Sequence, residues 1–289
     1  MSGFSEQWLQ LRGPIDARAR SSELLDALRP TLSANATIRI VDLGAGTGAN
    51  LRFLAPLIGG RQQWLLIDDD PDLLAAQVPA ITSWSDQIGA RCQTKESGID
   101  VVADGFACSV EAQRMNLAGD LGALELPKQC LVTASALLDL VSRQWLERLI
   151  ARSVAAEASC LFALTFDGRL ALEPSRTDDD LVFENFNAHQ RTDKGFGPAL
   201  GPSAAPVVKD LLLGNGFAVV EAASNWRVEA DRLFQTELVQ GWFEAAKAVA
   251  PQAETRLSEW YRERRQQIEQ QSLLTTVGHM DIAAWPAAS

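Results

Sequence analysis

The feature that most constrains the fold is the segment Val41-Asp-Leu-Gly-Ala-Gly-Thr-Gly48, in which glycines alternate with other residues after an apolar run. Glycine has no Cβ, so this segment can turn sharply and bring its backbone close to a ligand. The β-branched run Thr37–Leu43 predicts a strand before the turn. Asn50–Ile58, closed by Gly59-Gly60, predicts a helix after it. A strand that enters a helix through a glycine turn is typical of ligand-binding α/β sheets.

The strand–helix order continues along the chain. Gln63–Ile67 predicts a second strand that ends at Asp68-Asp69-Asp70, and Pro71 suits the first turn of the next helix. The later predicted strands are Phe106–Gln113, Gln129–Ala134, Cys160–Phe166, Phe217–Ala222 and Thr275–Ala284. Helices predicted between them are Ser142–Ala156, Val207–Leu213, Asp231–Ala250 and Ala253–Gln271. This order predicts an α/β fold with a doubly wound, mostly parallel sheet.

The two ends of the chain and one internal segment depart from this order. Ser5–Leu28 predicts a helix that is broken at Gly13-Pro14 and stopped by Pro30, so residues 1–30 are expected to form an N-terminal helical cap. Residues 31–289 form the main domain. Within it, residues 167–206 lack periodicity and are rich in glycine and proline, which predicts a substrate loop. The helices at about 231–271 predict a helical insertion before the last strand.

The net negative charge of the chain disfavours some classes of binding partner. The 289 residues carry 37 acidic and 26 basic side chains, a formal net charge of -11. Nucleic acid is disfavoured, because its binding depends on neutralising phosphates. The N-terminus lacks a signal-peptide pattern, no apolar run of about 18 residues occurs, and the four cysteines lack zinc-site spacing. We expect a cytoplasmic protein with a small-molecule substrate and no metal, nucleic-acid or membrane partner; the oligomeric state is left open.

Two cofactor classes bind glycine turns of this kind, and Asp42 discriminates between them. The spacing also matches G-x-G-x-x-A, with Ala49 last, which suits a nicotinamide dinucleotide. A dinucleotide-binding strand runs apolar into its first glycine, because the pyrophosphate lies on the helix N-terminus. A carboxylate at Asp42 would repel that pyrophosphate but suits the sulfonium and ammonium charges of S-adenosyl-L-methionine. Asp68 can accept both ribose hydroxyls in either class, so it does not choose the cofactor.

The sequence resembles the class I S-adenosylmethionine-dependent methyltransferase family. The resemblance is carried by Val41–Gly48 and by Leu65-Leu-Ile-Asp-Asp-Asp-Pro71, within an order of strands and helices that covers roughly Ser21–Phe217. Val277–Ile282 looks like the final antiparallel strand of that family. The resemblance implies a Rossmann-like methyltransferase fold with a seven-stranded sheet, an N-terminal helical segment and a C-terminal helical insertion.

The resemblance also implies roles for particular residues. Asp42 and the turn formed by Gly44, Ala45, Gly46 and Gly48 would hold the methionine part of the cofactor, and Asp68 would hold the ribose. A residue after the third strand, Asn116 or a close neighbour, would meet the adenine. An arginine of the N-terminal segment can meet the methionine carboxylate in that family. Exposed helix charges are an equally good interpretation of the candidates Arg12, Arg18 and Arg20.

Other side chains are placed near the site by their position after a strand. Asp69 follows Asp68 and is expected to bracket the cofactor, whereas Asp70 is expected to cap the helix that begins at Pro71. Ser135 and Asp139 follow the fourth strand, where ligands lie in open α/β sheets. For Asp139, a helix cap is an equal alternative. We interpret Asp178-Asp179-Asp180 as a solvated run, and His279 as a packed structural histidine.

The segment His189–Pro202 is predicted to close over the substrate. It contains His189, Arg191, Asp193 and Lys194 before a stiff glycine–proline stretch. The charged residues Arg191, Asp193 and Lys194 are the candidate substrate contacts. A plain wet loop is the alternative. The predicted function is S-adenosylmethionine-dependent methyl transfer to an oxygen or nitrogen of a small molecule, with His189, or secondly Asp139, as base. A cofactor-binding domain without catalysis and an NAD(P)-dependent oxidoreductase are the alternatives.

Overall fold

A computed structural model describes residues 5–32 and 36–287; residues 1–4 of the expected N-terminal cap lie outside the described part. The helices are α1 (Glu6–Ala19), α2 (Glu23–Leu32), α3 (Ala49–Ile58), α4 (Pro71–Gln87), α5 (Leu117–Asp120), α6 (Arg143–Ala156), α7 (Asp179–Gln190), α8 (Ala204–Gly214), α9 (Arg232–Val249) and α10 (Glu254–Glu269). The strands are β1 (Ile38–Leu43), β2 (Gly60–Asp68), β3 (Arg91–Lys95), β4 (Gly98–Ala103), β5 (Phe106–Arg114), β6 (Leu131–Ser135), β7 (Ser159–Glu173), β8 (Phe217–Ala223), β9 (Trp226–Val228) and β10 (Leu274–Pro286).

One mixed sheet forms the centre of the molecule, in the order β3-β4-β5-β2-β1-β6-β7-β10-β8, with β9 paired to β10. The five neighbours β5, β2, β1, β6 and β7 are parallel. The pairing of β5 with β2 confirms that Phe106–Gln113 is the third parallel strand. Strand β10 runs antiparallel to both β7 and β8, as expected for the closing strand.

The sheet has ten strands in the described part, which corrects the expected seven. The predicted seven lie within it as β5-β2-β1-β6-β7-β10-β8. Strands β3 and β4 add an antiparallel extension to the β5 edge, through pairs such as Ile99 with Val110. Strand β9 lies beside the first residues of β10. The three additions are short and mixed in polarity, so their sequences carried only a weak strand pattern.

Helices cover both faces of the sheet. Leucines of α2 and α3 pack on one face, and residues of α5, α6 and α8 pack on the other. Every residue of β1 except Arg39 is buried, as expected for a central parallel strand. A third cluster, rich in aromatic residues, joins α1, α7, α9 and α10 to β7 and β10.

The N-terminal helices differ from the prediction in where the chain bends. Helix α1 runs without a break through Gly13-Pro14, and Pro30 lies inside α2. The chain leaves the helix instead at Arg20, and the backbone N–H of Ser21 donates to Asp281 on β10 at 3.1 Å.

Residues 167–206 are more regular than the irregular loop expected from their glycines and prolines. Strand β7 continues to Glu173, and helix α7 occupies Asp179–Gln190. The apolar positions of α7 are few, which hid its helical period: only Val182 among them is fully buried. An irregular segment remains between α7 and α8, and it includes residues 191–200.

The acidic run at the start of α7 is not wholly solvated, which corrects the interpretation of Asp178-Asp179-Asp180. The Asp179 carboxylate is buried and accepts hydrogen bonds from Arg264 Nη2 at 2.5 and 2.6 Å. It also accepts from Trp260 Nε1 at 2.7 Å and from the backbone N–H of Arg176 at 2.8 Å. Asp179 therefore links α7 to α10 by hydrogen bonds between residues about eighty positions apart in the chain. Local sequence does not reveal this contact.

Candidate functional site

A cavity of about 1220 Å³ lies at the carboxyl ends of the parallel strands, where ligands bind in open α/β sheets. Its floor is formed by the residues that follow β1, β2, β5 and β6. Helix α1 roofs it, with Leu9, Arg12 and Arg20 among the lining residues. Single-ligand sites usually measure about 300–1,000 Å³, so this cavity has room for two adjoining small molecules.

The glycine turn leads from β1 into α3 and is hydrogen-bonded to the end of β2. Gly44, Gly46 and Gly48 all have positive φ angles, of 65°, 53° and 77°, which glycine adopts without strain. The backbone N–H of Ala45 donates to the carbonyl of Ile67 at 2.9 Å. An added Cβ at Gly46 would lie 3.3 Å from Leu9 of α1, and one at Gly44 would lie 3.5 Å from Leu137, so these glycines also let neighbouring side chains pack closely on the turn.

Asp68 lies at the end of β2, beside the glycine turn, and is half-buried in the cavity floor. One carboxylate oxygen accepts from the backbone N–H of Gly46 at 2.7 Å, and the other accepts from that of Asp70 at 3.0 Å. The two bonds fix the carboxylate. Each oxygen keeps a lone pair for a second donor, so Asp68 can still receive a pair of neighbouring hydroxyl groups.

Asp42 lies beneath the turn rather than in the cavity wall. It is buried, and one oxygen accepts from Asn50 Nδ2 at 2.7 Å, while the other, Oδ2, has no hydrogen-bond partner among the described residues. Burial raises the pKa of Asp42 to about 7; the Asn50 hydrogen bond and nearby Arg20 oppose this, and Asp68 adds to it. A cation placed over the turn would favour the ionised carboxylate.

The three candidate arginines of the N-terminal segment have different positions. Arg12 and Arg20 line the cavity, whereas Arg18 lines a separate, open groove beside Arg227. The Arg20 guanidinium carbon lies 4.2 Å from the centre of the Phe53 ring. No carboxylate within 4 Å pairs with Arg20 among the described residues, although Asp281, Asp42 and Asp16 act on it from further away. Arg20 is therefore available to an anionic group of a ligand.

Most of the predicted cofactor residues line the one cavity. These are Gly44, Ala45, Gly46, Asp68, Asp69, Asn116 and Ser135, together with the unpredicted neighbours Thr47, Met115 and Leu117. Gly48 and Asp42 lie behind this lining. The Asn116 side-chain oxygen caps α5, accepting from the backbone N–H groups of Ala118 and Gly119, and its amide NH₂ has no hydrogen-bond partner among the described residues.

Asp139 lies behind the cavity wall that Leu137 and Leu140 form. Its carboxylate is buried, and Oδ1 has no hydrogen-bond partner among the described residues. Burial raises the pKa of Asp139 to about 6, and the nearby cations Arg12 and Lys194 partly oppose this. Asp139 does not cap α6, since Ser142 takes that position with its side chain accepting from the Trp145 N–H. The helix-cap alternative for Asp139 is therefore excluded.

The polar residues of the predicted lid contact one another rather than the cavity. Lys194 Nζ lies 3.2 Å from His189 Nδ1 and donates to the His189 carbonyl at 3.0 Å. Asp193 accepts from the backbone N–H of Gly195 at 2.7 Å, and Arg191 donates to the Asn187 carbonyl at 3.0 Å. None of these four predicted residues is among the cavity-lining residues. Burial and the Lys194 ammonium lower the pKa of His189.

The lid segment reaches the cavity through Phe196, which the sequence prediction did not single out. Phe196 lines the cavity and packs edge-on against Trp145, with ring centres 5.5 Å apart. Its position depends on backbone hydrogen bonds from Leu200 and Gly201 to the carbonyls of Val141 and Asp139, each of 2.8 Å. A single aromatic among glycines and prolines is the one signal that would have pointed to it.

His279 is buried in an aromatic environment, as the sequence predicted. Its ring centre lies 4.6 Å from that of Trp226, and burial lowers its pKa to about 3. Among the described residues, no group of three or more His, Cys, Asp or Glu side chains is arranged to hold a metal ion. In residues 5–32 and 36–287, no helix combines the length and the apolar character that crossing a membrane requires.

No protein-family model matches the chain, and no curated protein is similar to it in sequence. Similar solved structures include the cyclopropane synthase MmaA2 from Mycobacterium tuberculosis, at 10% identity over 97% of this chain and 94% of that chain, with a TM-score of 0.48. The YcgJ protein from Bacillus subtilis is 13% identical over 93% and 100%, with a TM-score of 0.46. A SAM-dependent methyltransferase from Thiobacillus denitrificans, in complex with S-adenosyl-L-homocysteine, is 12% identical over 99% and 99%, with a TM-score of 0.44. Similarity of this degree assigns no activity, so function is argued from the site.

Proposed function

We propose that the protein transfers a methyl group from S-adenosyl-L-methionine to a small-molecule acceptor. The observation that carries this proposal is the composition of one cavity: a glycine turn, a fixed carboxylate at Asp68, and the Arg20 guanidinium, which has no carboxylate within 4 Å among the described residues. These three features match the methionine backbone, the ribose and the carboxylate of this cofactor. The cavity volume of about 1220 Å³ leaves space beside the cofactor for an acceptor.

The residues on the cavity floor fit the cofactor part by part. The Asp68 oxygens would accept the ribose hydroxyls, and Asn116 with Met115 and Leu117 would surround the adenine. Arg20 would bind the methionine carboxylate. The unpartnered Oδ2 of Asp42 would favour the ammonium and sulfonium charges from beneath the turn. A pyrophosphate placed over the glycine turn would be repelled by the Asp42 carboxylate, which supports a methyltransferase over a dinucleotide-binding enzyme.

The protein's own contribution to the reaction is alignment and exclusion of water. When bound, the cofactor supplies a methyl group activated by its positive sulfur. Residues of α1 and Phe196 line the cavity, so an acceptor would be held against the cofactor and partly shielded from water. Holding two reactants at near-attack distance can supply several kcal/mol, about 7–11 at most. If the acceptor must lose a proton, Asp139 is our first candidate for the base and His189 the second.

Asp68→Ala tests the cofactor assignment. We expect this change to weaken binding of S-adenosylmethionine by roughly 1.5–3 kcal/mol, because it removes hydrogen bonds from the ribose to a charged acceptor. Titration calorimetry with S-adenosylmethionine, S-adenosylhomocysteine and NAD measures the change. The matched control is Asp86→Ala, an exposed acid on the last turn of α4 that does not line the cavity. Binding of NAD alone would contradict the proposal, and an unchanged dissociation constant would contradict the role of Asp68.

Asp42 predicts a pH dependence of cofactor affinity. Since the pKa of this carboxyl is raised to about 7, it is largely neutral at pH 6 and largely ionised at pH 8. Only the ionised form attracts the cofactor cation, so affinity for S-adenosylmethionine should rise by up to about tenfold in total between pH 6 and pH 8. Calorimetry between pH 6 and 8 measures it. Asp42→Asn should bind more weakly and lose the dependence; a variant with an unchanged pH profile would show that Asp42 is not the titrating group.

A further inference from the structure

We propose that Arg12 binds the methyl acceptor, by donating a hydrogen bond from Nη1 to a carbonyl or carboxylate oxygen of a small, mainly apolar molecule. This inference rests on the methyltransferase function proposed above and adds the class of substrate. It differs from the sequence interpretation, in which Arg12 was one of three candidates for the methionine carboxylate.

The Arg12 guanidinium is fixed in one orientation. Its side chain is only 8% exposed, and Nε and Nη2 donate to the two oxygens of Asp16 at 2.8 and 3.3 Å. Trp226 Nε1 donates to the same Asp16 carboxylate at 2.9 Å. The guanidinium carbon also lies 5.0 Å from the centre of the Trp226 ring. A donor held by this many contacts loses little freedom when it binds a ligand.

One nitrogen of the Arg12 guanidinium, Nη1, takes no part in these contacts with Asp16. Nη1 of Arg12 makes no hydrogen bond with any described residue, and Arg12 lines the cavity. The titratable groups on other elements that interact electrostatically with Arg12 are Asp139, on the segment after β6, and the buried, neutral His279 on β10. Asp16 already balances much of the positive charge, so a neutral carbonyl oxygen can satisfy Nη1 as well as a carboxylate can.

Apolar side chains make up much of the remaining cavity lining. Arg12 lies about one helical turn from Leu9 on α1, and both residues line the cavity. The lining residues that share this apolar character are Leu9, Gly13, Ala136, Leu137, Leu140 and Phe196. A mainly apolar pocket with one oriented donor selects a compact apolar body that carries one oxygen at a fixed place.

Three probes with the same aromatic body separate the chemistry: phenylacetate, phenylacetamide and phenethylamine. They are titrated by ligand-observed NMR into protein saturated with S-adenosylhomocysteine. We expect the carboxylate and the amide to bind at least about tenfold more tightly than the amine, because Nη1 cannot donate to an ammonium. If only phenylacetate binds, the oxygen is a carboxylate; if both oxygen probes bind equally, a carbonyl is sufficient.

Arg12→Met should weaken binding of the oxygen probes by about tenfold or more and change S-adenosylhomocysteine affinity less than about twofold. Arg18→Met is the matched control, since Arg18 lies on the same helix but lines the separate groove. Trp226→Phe, which removes one bond to Asp16, should loosen the guanidinium and weaken oxygen-probe binding to a smaller extent. It keeps the test decisive if Arg12→Met does not fold.

Three results would overturn the inference: equal binding of the three probes, no probe binding to the wild type, or an equal loss of probe and S-adenosylhomocysteine binding in Arg12→Met. Failure of the proposed function is a separate result. It is seen when wild-type protein does not bind S-adenosylhomocysteine, and the probe series without that ligand then decides the role of Arg12 alone.

Discussion

Asp139→Asn is expected to lower turnover by about 10²–10⁴-fold for an acceptor that must lose a proton, the usual loss when an acid–base group is removed. Asp139 is buried beside the apolar cavity wall, with one oxygen unpartnered among the described residues. Burial raises its pKa to about 6, so the carboxylate is ionised at neutral pH but basic enough to accept a proton. Acceptors are found by transfer of labelled methyl groups to small-molecule extracts, and turnover is then measured with each variant.

The pH profile distinguishes a base from a structural residue. Wild-type turnover should fall as the pH drops through about 6, because Asp139 becomes protonated there, and Asp139→Asn should lose this dependence. His189→Ala serves as the comparison: neither side chain lines the cavity, but Asp139 Oδ1 has no hydrogen-bond partner among the described residues, whereas His189 Nδ1 lies 3.2 Å from Lys194 Nζ. A large loss of turnover in His189→Ala, together with unchanged turnover in Asp139→Asn, would make His189 the first candidate for the base, as the sequence suggested.

The placement of the proposed cofactor residues in one cavity was predictable, because the main ones follow neighbouring parallel strands. Gly44 and Asp68 each end a strand, and parallel strands bring their carboxyl ends to one edge of the sheet. A short motif and the order of strands and helices were therefore enough to bring them into one place. The same reasoning identified β5 correctly, because only β5 among the candidates continues the parallel order beside β2.

The acceptor half was less predictable because its residues come from segments that are distant in sequence. The roof depends on a hydrogen bond between Ser21 and Asp281, separated by 260 residues. Phe196 reaches the cavity only because Leu200 and Gly201 pair with the segment that holds Asp139. Conversely, the polar density of residues 187–194 indicated a binding loop, but several of these side chains satisfy the backbone and neighbours of their own turn, a common use of such groups.

Asp179 shows the same limit in the region that supports the lid. Three consecutive aspartates without an apolar pattern indicate a solvated run. Asp180 is exposed, as this pattern predicts, and Asp178 is partly exposed. The middle one is buried because Arg264 and Trp260, far along the chain, provide donors. Local sequence carries no information about which member of the run meets them.

Asp179→Ala is expected to lower the free energy of unfolding by about 3–5 kcal/mol, because it leaves the Arg264 guanidinium buried without its carboxylate. Arg264 is fully buried, and its other bonds, to the Pro174 carbonyl and Gln267, do not supply a negative charge. Urea denaturation measures the change. Asp180→Ala, at the exposed neighbouring position, is the control and should change stability by about 0.5 kcal/mol or less.

A double variant separates the value of the ion pair from the cost of breaking it. Replacing both partners, as in Asp179→Leu with Arg264→Met, removes the uncompensated charge, and well-packed apolar pairs are often as stable as buried ion pairs. We therefore expect the double variant to be more stable than Asp179→Ala. If both are equally destabilised, the loss comes from the hydrogen bonds to Trp260 and Arg176 rather than from the charge. Helix α7 leads directly into the segment that carries Phe196, so the double variant also tests whether this anchor is needed to position the cavity wall.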